Sequence, residues 1–258
     1  MSETRGFYTL WLREIKRFVR DRTRLITSFV QPLLWLIIFG AGFGARFLLP
    51  ANLGYQEVIL PGIVGQTLLF TAMFMGINVI WDKEFGFMKE ILVSPVSRFT
   101  IFLGKMVGDS TDAIFQGIIV FVIGFAIGIP VDPLTLLFAL PVMLLITFGL
   151  VSIGLTIASF MGNLESFGAI QTFVNLPLFF LSGALFPLKG PGVNLPGWLT
   201  TASAWNPLTY GVDALRNIMI GENWTPLQIQ PLWVDIGVIA LFDVIMIAIG
   251  TWAFTRMK

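Results

Sequence analysis

At 258 residues, with 56% hydrophobic side chains, 12% charged and a mean hydropathy of +0.85, the chain is no soluble domain, which would carry about twice that charge fraction. It reads as a polytopic membrane protein. The absence of cysteine and histidine removes disulfides, thiol chemistry, imidazole metal ligands and the usual general base, and a net charge of +1 matters less than where the basic residues sit.

Residues 6–24 are predicted to form a helix with Phe7, Trp11, Ile15 and Phe18 on one face and Arg13, Lys16, Arg17 and Arg20 spread over the rest. A basic amphipathic helix of this kind lies in the membrane interface on the cytoplasmic side, as a topological anchor or as a functional contact. The first 25 residues are too charged to resemble a cleaved signal peptide. Six apolar stretches follow at about 26–47, 59–80, 101–128, 135–160, 167–188 and 232–254, each long enough for the ~20 residues a bilayer requires. Seven Lys and Arg precede the first, four lie between 83 and 105 and two end the chain, against Arg46, Lys189 and Arg216 on the other side. Both termini and the 81–98 loop are therefore expected in the cytoplasm. The fold class is all-α and polytopic: an interfacial helix at 1–25, then a transmembrane domain at 26–258 with six spans. Between spans two and three lies a cytoplasmic helix at 82–95, and between spans five and six outer re-entrant helices at 178–221.

In the first span Gln31-Pro32 predicts a kink, and Gly40 and Gly44 let another helix approach closely; Gly104/Gly108 and Gly124/Gly128 repeat that spacing. Packing within the chain and a seam between two copies explain these repeats equally well. Residues 81–98 hold six charges in a chain otherwise nearly free of them, so the segment must lie in water. Phe85, Met88, Ile91 and Leu92 recur at helical spacing, with Lys83, Glu84, Lys89 and Glu90 mostly elsewhere, and Ser94-Pro95 ends the helix. Pattern alone allows an ordinary solvated loop helix or a docking helix for a soluble partner.

Span three opens with Lys105, Asp109 and Asp112 on one face; the first two can pair, and Asp112 is either a functional carboxylate or one that snorkels to the inner surface. Glu165 is the single charge of the short inner loop at 161–166. Outside, Asn175-Leu176-Pro177 is expected to break span five, and Asn206 to cap a helix with Pro207 at its first position that ends near Gly221. The two apolar pieces of 178–221 are too short to cross ~30 Å and should return to the outer face. On the second, Asp213 and Arg216 are placed to neutralise each other. Asp243, in the middle of span six, has no cation nearby in sequence and must face the bundle, a partner subunit or a water-filled cavity.

Residues 81–98 resemble the coupling segment of the ABC-2 family of transporter permeases, and most of all its daunorubicin-resistance branch of drug exporters. Three further stretches match in order: Gly104-Lys105-Met106-Val107-Gly108-Asp109, the run 181–188 (Leu-Ser-Gly-Ala-Leu-Phe-Pro-Leu), and 206–216 (Asn-Pro-Leu-Thr-Tyr-Gly-Val-Asp-Ala-Leu-Arg). The resemblance spans nearly the whole chain. It implies that Glu84, Phe85, Gly86, Met88, Lys89, Glu90, Leu92 and Pro95 couple the chain to an ATPase, with Phe85, Met88 and Leu92 anchoring the helix and Gly86 allowing close approach. It also implies an outer gate, here built on Pro177, Gly183, Asn206, Pro207, Asp213 and Arg216. Independently of the resemblance, Asp112 and Asp243 are the pathway candidates by their place inside spans, Asp243 being equally suited to a neutral hydrogen bond with a neighbouring helix. Phe87 and Lys89 depart from the threonine and glutamate that other branches carry there.

The chain has no G-x-x-x-x-G-K-[ST] loop: its one Gly-Lys pair, Gly104-Lys105, is followed by Met, so ATP and Mg would be held by a separate subunit and this chain binds no cofactor or metal. No HExxH pair and no G-x-S-x-G elbow are present either. The expected assembly is two permease subunits, a homodimer by preference, on two ATPase subunits in a prokaryotic plasma membrane. A hydrophobic or amphipathic drug or lipid is the expected cargo, and nucleic acid is not a partner. A polysaccharide or glycolipid exporter is the alternative; an ion-coupled secondary transporter and an intramembrane enzyme have less support, lacking paired inverted breaks and any catalytic constellation.

Overall fold

A chain this apolar must satisfy its backbone N–H and C=O groups within its own segments, and in one dimension only helices do that. The computed structural model describes residues 3–20, 22–43, 53–191 and 193–257, for 22–29, 41 and 43 the backbone alone, and among these it holds helices and no strand. Helix α1 (Glu3–Arg20) precedes α2 (Arg22–Phe43), which contains Pro32. Helices α3 (Tyr55–Phe74) and α4 (Ile77–Glu84) follow each other across a turn at Met75-Gly76, and α5 (Phe87–Val93) leads to α6 (Arg98–Ala126). Then come α7 (Thr135–Phe160), α8 (Leu164–Leu181), the short α9 (Gly197–Ala204), α10 (Pro207–Ile220) and α11 (Leu232–Arg256).

Among the described residues five units are long and apolar enough to cross a membrane: Tyr55–Glu84, Arg98–Ala126, Thr135–Phe160, Leu164–Leu181 and Leu232–Arg256. In α2 the apolar run among the described residues, Val30–Gly40, is shorter. The end of the expected first span, with Gly44 and Arg46, lies outside the described residues. Side-chain caps start three helices where polar residues meet apolar runs: Ser97 accepts from Thr100 N at 3.2 Å, Asn163 from Ser166 N at 2.8 Å, and Asn206 from Leu208 N at 3.0 Å with Pro207 at the first position.

Helix α3 is the hub, enclosed almost along its length by α6, α7 and α10. Helices α8 and α11 instead keep Phe173, Phe180, Trp233, Val244 and Trp252 exposed, as lipid-facing helices do. The glycine repeat on α6 serves packing within the chain: Gly104 lies against Leu10 and Gly108 against Glu14, both on α1, and Gly124 against Leu60 of α3.

Two expectations about continuity are corrected. The single helix expected at 82–95 is two helices, because Gly86 adopts φ +80, the left-handed conformation that ends α4 and re-aims α5. A Cβ on Gly86 would meet nothing within 4 Å, so its backbone conformation, not close approach, is what requires glycine. Helix α5 then closes at Val93, where the Ser94 hydroxyl donates to Ile91 O at 2.6 Å before Pro95. Conversely, Pro177 does not break its helix: α8 runs through it to Leu181. Proline forfeits one bond of the ladder, and in an apolar setting no water competes for the rest.

Candidate functional site

The corner formed by α4, α5 and the loop into α6 carries the polar segment. Glu84, Lys89 and Glu90 are exposed on it, Met88 is buried, and Ile91 and Leu92 pack partly buried against the core. Phe85 departs from the expected anchoring face: it sits ahead of the Gly86 turn and is 72% exposed. Pro95 is exposed as well. Lys83 turns inward, its ammonium donating to Ala158 O at 2.9 Å, Ser159 O at 2.6 Å and Met161 O at 3.1 Å, which closes the carbonyl end of α7.

Beneath the corner, charges from α1, α4 and α6 meet. The fully enclosed Lys105 donates to Asp82 Oδ2 at 2.6 Å and to Glu14 Oε1 at 3.1 Å, and Arg13 donates to Asp82 Oδ2 at 3.1 Å and to its Oδ1. The hydrogen bond to Asp82 holds the Arg13 pKa above its ordinary value, against burial, which pushes it down. Burying an ammonium alone is prohibitive, and two carboxylates with an arginine behind them make it tolerable. Lys105 hydrogen-bonds to Asp82 and Glu14, while Asp109, one turn along its own helix, acts on it through its charge and accepts from Asn78 Nδ2 at 3.2 Å. Asp112, three residues further on, is buried too and does not reach out to the surface.

Glu14 and Asp82 are the residues that pattern reading missed. Helix α1 buries Gly6, Leu10, Glu14 and Phe18, a stripe rotated by one residue from the Phe7, Trp11, Ile15 face, which is half-buried. The available signal was that 6-10-14-18 is an unbroken four-residue series whose small first member and one acid fit a glycine-lined partner helix.

At the opposite end of the hub, α10 is clamped. Asn206 Nδ2 donates to Leu178 O at 2.7 Å and Thr209 to Leu181 O at 3.3 Å, joining α10 to the end of α8. Gly183, at φ +70, makes the turn that follows α8. Asp213 and Arg216 are both buried but answer different partners. The carboxylate accepts from Trp224 Nε1 at 2.7 Å, Ile229 N at 2.9 Å and Gln230 N at 3.1 Å. The guanidinium donates to Val58 O at 3.0 Å and to Gly183 O and Ala184 O at 2.9 Å, with Trp224 4.9 Å away over its plane. The two charges act on each other, but no hydrogen bond joins them: each is held by backbone groups and by Trp224, because loop ends next to both residues leave N–H and C=O groups needing partners. Asp243 is buried on α11 against Gly149 of α7. Asp235, about two turns earlier on α11, is buried as well and drew no sequence signal. Among the described residues no group of carboxylates is arranged to hold a metal ion.

The family described as ABC-2 type transporter matches residues 5–220, from α1 to the end of α10, so the corner, the buried ions and α10 fall inside the match, and Asp243 and the Asp213 partners Trp224, Ile229 and Gln230 outside it. The chain is 32% identical over 204 residues to a protein named as a transport permease, ycf38, of Cyanophora paradoxa, covering 78% of this chain and 69% of that one. It is 28% identical to nodulation protein J of Rhizobium leguminosarum bv. trifolii, over 90% of this chain and 86% of that protein. To the inner membrane transport permease YadH of Escherichia coli (strain K12) it is 27% identical, over 85% and 84% of the two chains.

Proposed function

Because the chain belongs to the ABC-2 type transporter family and is a membrane permease, we propose that it is the membrane-spanning half of an ATP-driven exporter moving a hydrophobic or amphipathic drug or lipid out of the cytoplasm or inner leaflet. Two ABC ATPase subunits would hold the ATP and Mg, and two copies of this chain would enclose the pathway, each crossing a prokaryotic plasma membrane six times with both termini inside. The interfacial helix is 1–25 and the transmembrane domain 26–258.

The observation that carries this reading is the α4–α5 corner. Glu84 at the end of α4 and Lys89 and Glu90 on α5 are exposed and α5 is rooted by Met88 and Leu92, while Asp82 and Lys83 of α4 grip α7, α6 and α1. A push delivered at the exposed charges is passed directly to three helices of the bundle. Phe85, Gly86 and Pro95 shape that contact. At the far end Asn206, Pro207, Asp213, Arg216 and Gly183 form a lid over the exit, with Pro177 as a bend in α8; Asp112 and Asp243 are polar points along the way. The test is reconstitution with the cognate ATPase: E84K/E90K should keep the fold and lose substrate-stimulated ATP hydrolysis. Unchanged stimulation would remove the coupling assignment.

A further inference from the structure

Between α1 and the α4–α5 corner lies an open groove of about 880 Å³, of whose lining Phe85 alone belongs to the contact given above to the ATPase. One wall is a single face of α1, on which Arg13, Lys16, Arg17 and Arg20 recur at three- and four-residue steps. The other is Trp81, Phe85 and Phe87. Two guanidiniums are already oriented over those rings, Arg17 at 4.9 Å from the Trp81 centroid and Arg13 at 6.0 Å from that of Phe87. The one carboxylate among the described lining residues, Asp82, is occupied by Lys105 and Arg13 and has Arg17 3.9 Å away. The groove therefore presents cations of one sign beside aromatic and aliphatic surface.

An anionic amphiphile matches both walls at once: an anionic oxygen meets Lys16, Arg17 and Arg20, and the methylenes next to it meet Leu12, Phe85 and Phe87. An acidic peptide would leave the aromatic wall unanswered. We propose that this groove binds the phosphodiester headgroup of an anionic phospholipid, which bridges α1 to the corner; the proposal rests on the placement of α1 at the inner membrane surface made above.

The experiment uses the full chain purified in maltoside micelles, given phosphatidylglycerol or phosphatidylcholine of the same acyl chains, with retained lipid counted by native mass spectrometry. Phosphatidylglycerol should be retained about tenfold better, and K16Q/R20Q should lose that preference. Neither residue belongs to the buried ion set, so helical content by circular dichroism should not change, and K189Q on the opposite end should behave as the parent. Equal retention of the two lipids, or an unchanged preference in K16Q/R20Q, would overturn the proposal. So would displacement by millimolar inorganic phosphate, which marks a free-anion site, or capture of an acidic peptide without any lipid preference, which marks a protein dock. No ATP or transport enters the readout, so failure here and failure of the exporter reading are separate results.

Discussion

Lys105 has no water to fall back on, so its ammonium persists only while Asp82 and Glu14 accept from it. Lys105→Met removes that cation and leaves two enclosed carboxylates sharing Arg13. The expected cost is about 3–5 kcal/mol, the usual penalty for breaking a buried pair from one side. It would be read as a lowered thermal midpoint in detergent, and K105M/D82N/E14Q should recover most of the loss because it removes the stranded charges together. A single variant as stable as the parent would show that the three do not depend on one another. These partners were not legible in the sequence for a plain reason. Spacing reveals neighbours on one helix, and so pointed to Asp109, whereas the actual partners lie 23 and 91 positions away and are brought in by packing. Asp213 and Arg216 repeat the lesson: three apart on one helix, they bond to loop backbone, to Trp224 and to the start of α3, which spacing does not address.

The helices themselves were easy to read, since long apolar runs with capping residues at their starts leave few other structures open. Their breaks were not. Gly86 reads like a packing glycine, and only its φ of +80 reveals that it separates α4 from α5. Pro177 reads like a stop and is carried inside α8. With open space around Gly86, any effect of substituting it comes from the backbone alone, which makes it a clean probe of how α5 is aimed. Gly86→Ala should strain the turn by about 1–2 kcal/mol and shift α5, lowering ATP-coupled transport with little change in the unfolding midpoint of the bundle. Gly86→Asn should be milder, since asparagine tolerates that region. Two variants that both transport like the parent would mean that the turn does not set the direction of the push.

At the scale of the molecule, the ion-locked corner and the clamped α10 sit at opposite ends of the enclosed hub α3, and the proposed gate depends on their being on opposite sides of the membrane. The segment 182–231 is tied down at both edges, by Asn206 and Thr209 to the end of α8 and by Arg216 to the start of α3 at Val58. Its intervening helices are too short to cross the ~30 Å hydrocarbon layer, so its loops should all emerge together. Lys189 is exposed in one of those loops and Asn223 in the 3-10 turn that follows α10, and Lys89 is exposed at the corner. The chain has no cysteine of its own, so K189C, N223C and K89C each introduce one thiol into a silent background. In intact cells an impermeant maleimide should label K189C and N223C and spare K89C, which should react only after the membrane is opened. Labelling of all three from outside would place the corner beyond reach of any ATPase. Labelling of K189C without N223C would send α10 across the bilayer and leave the exit without a lid.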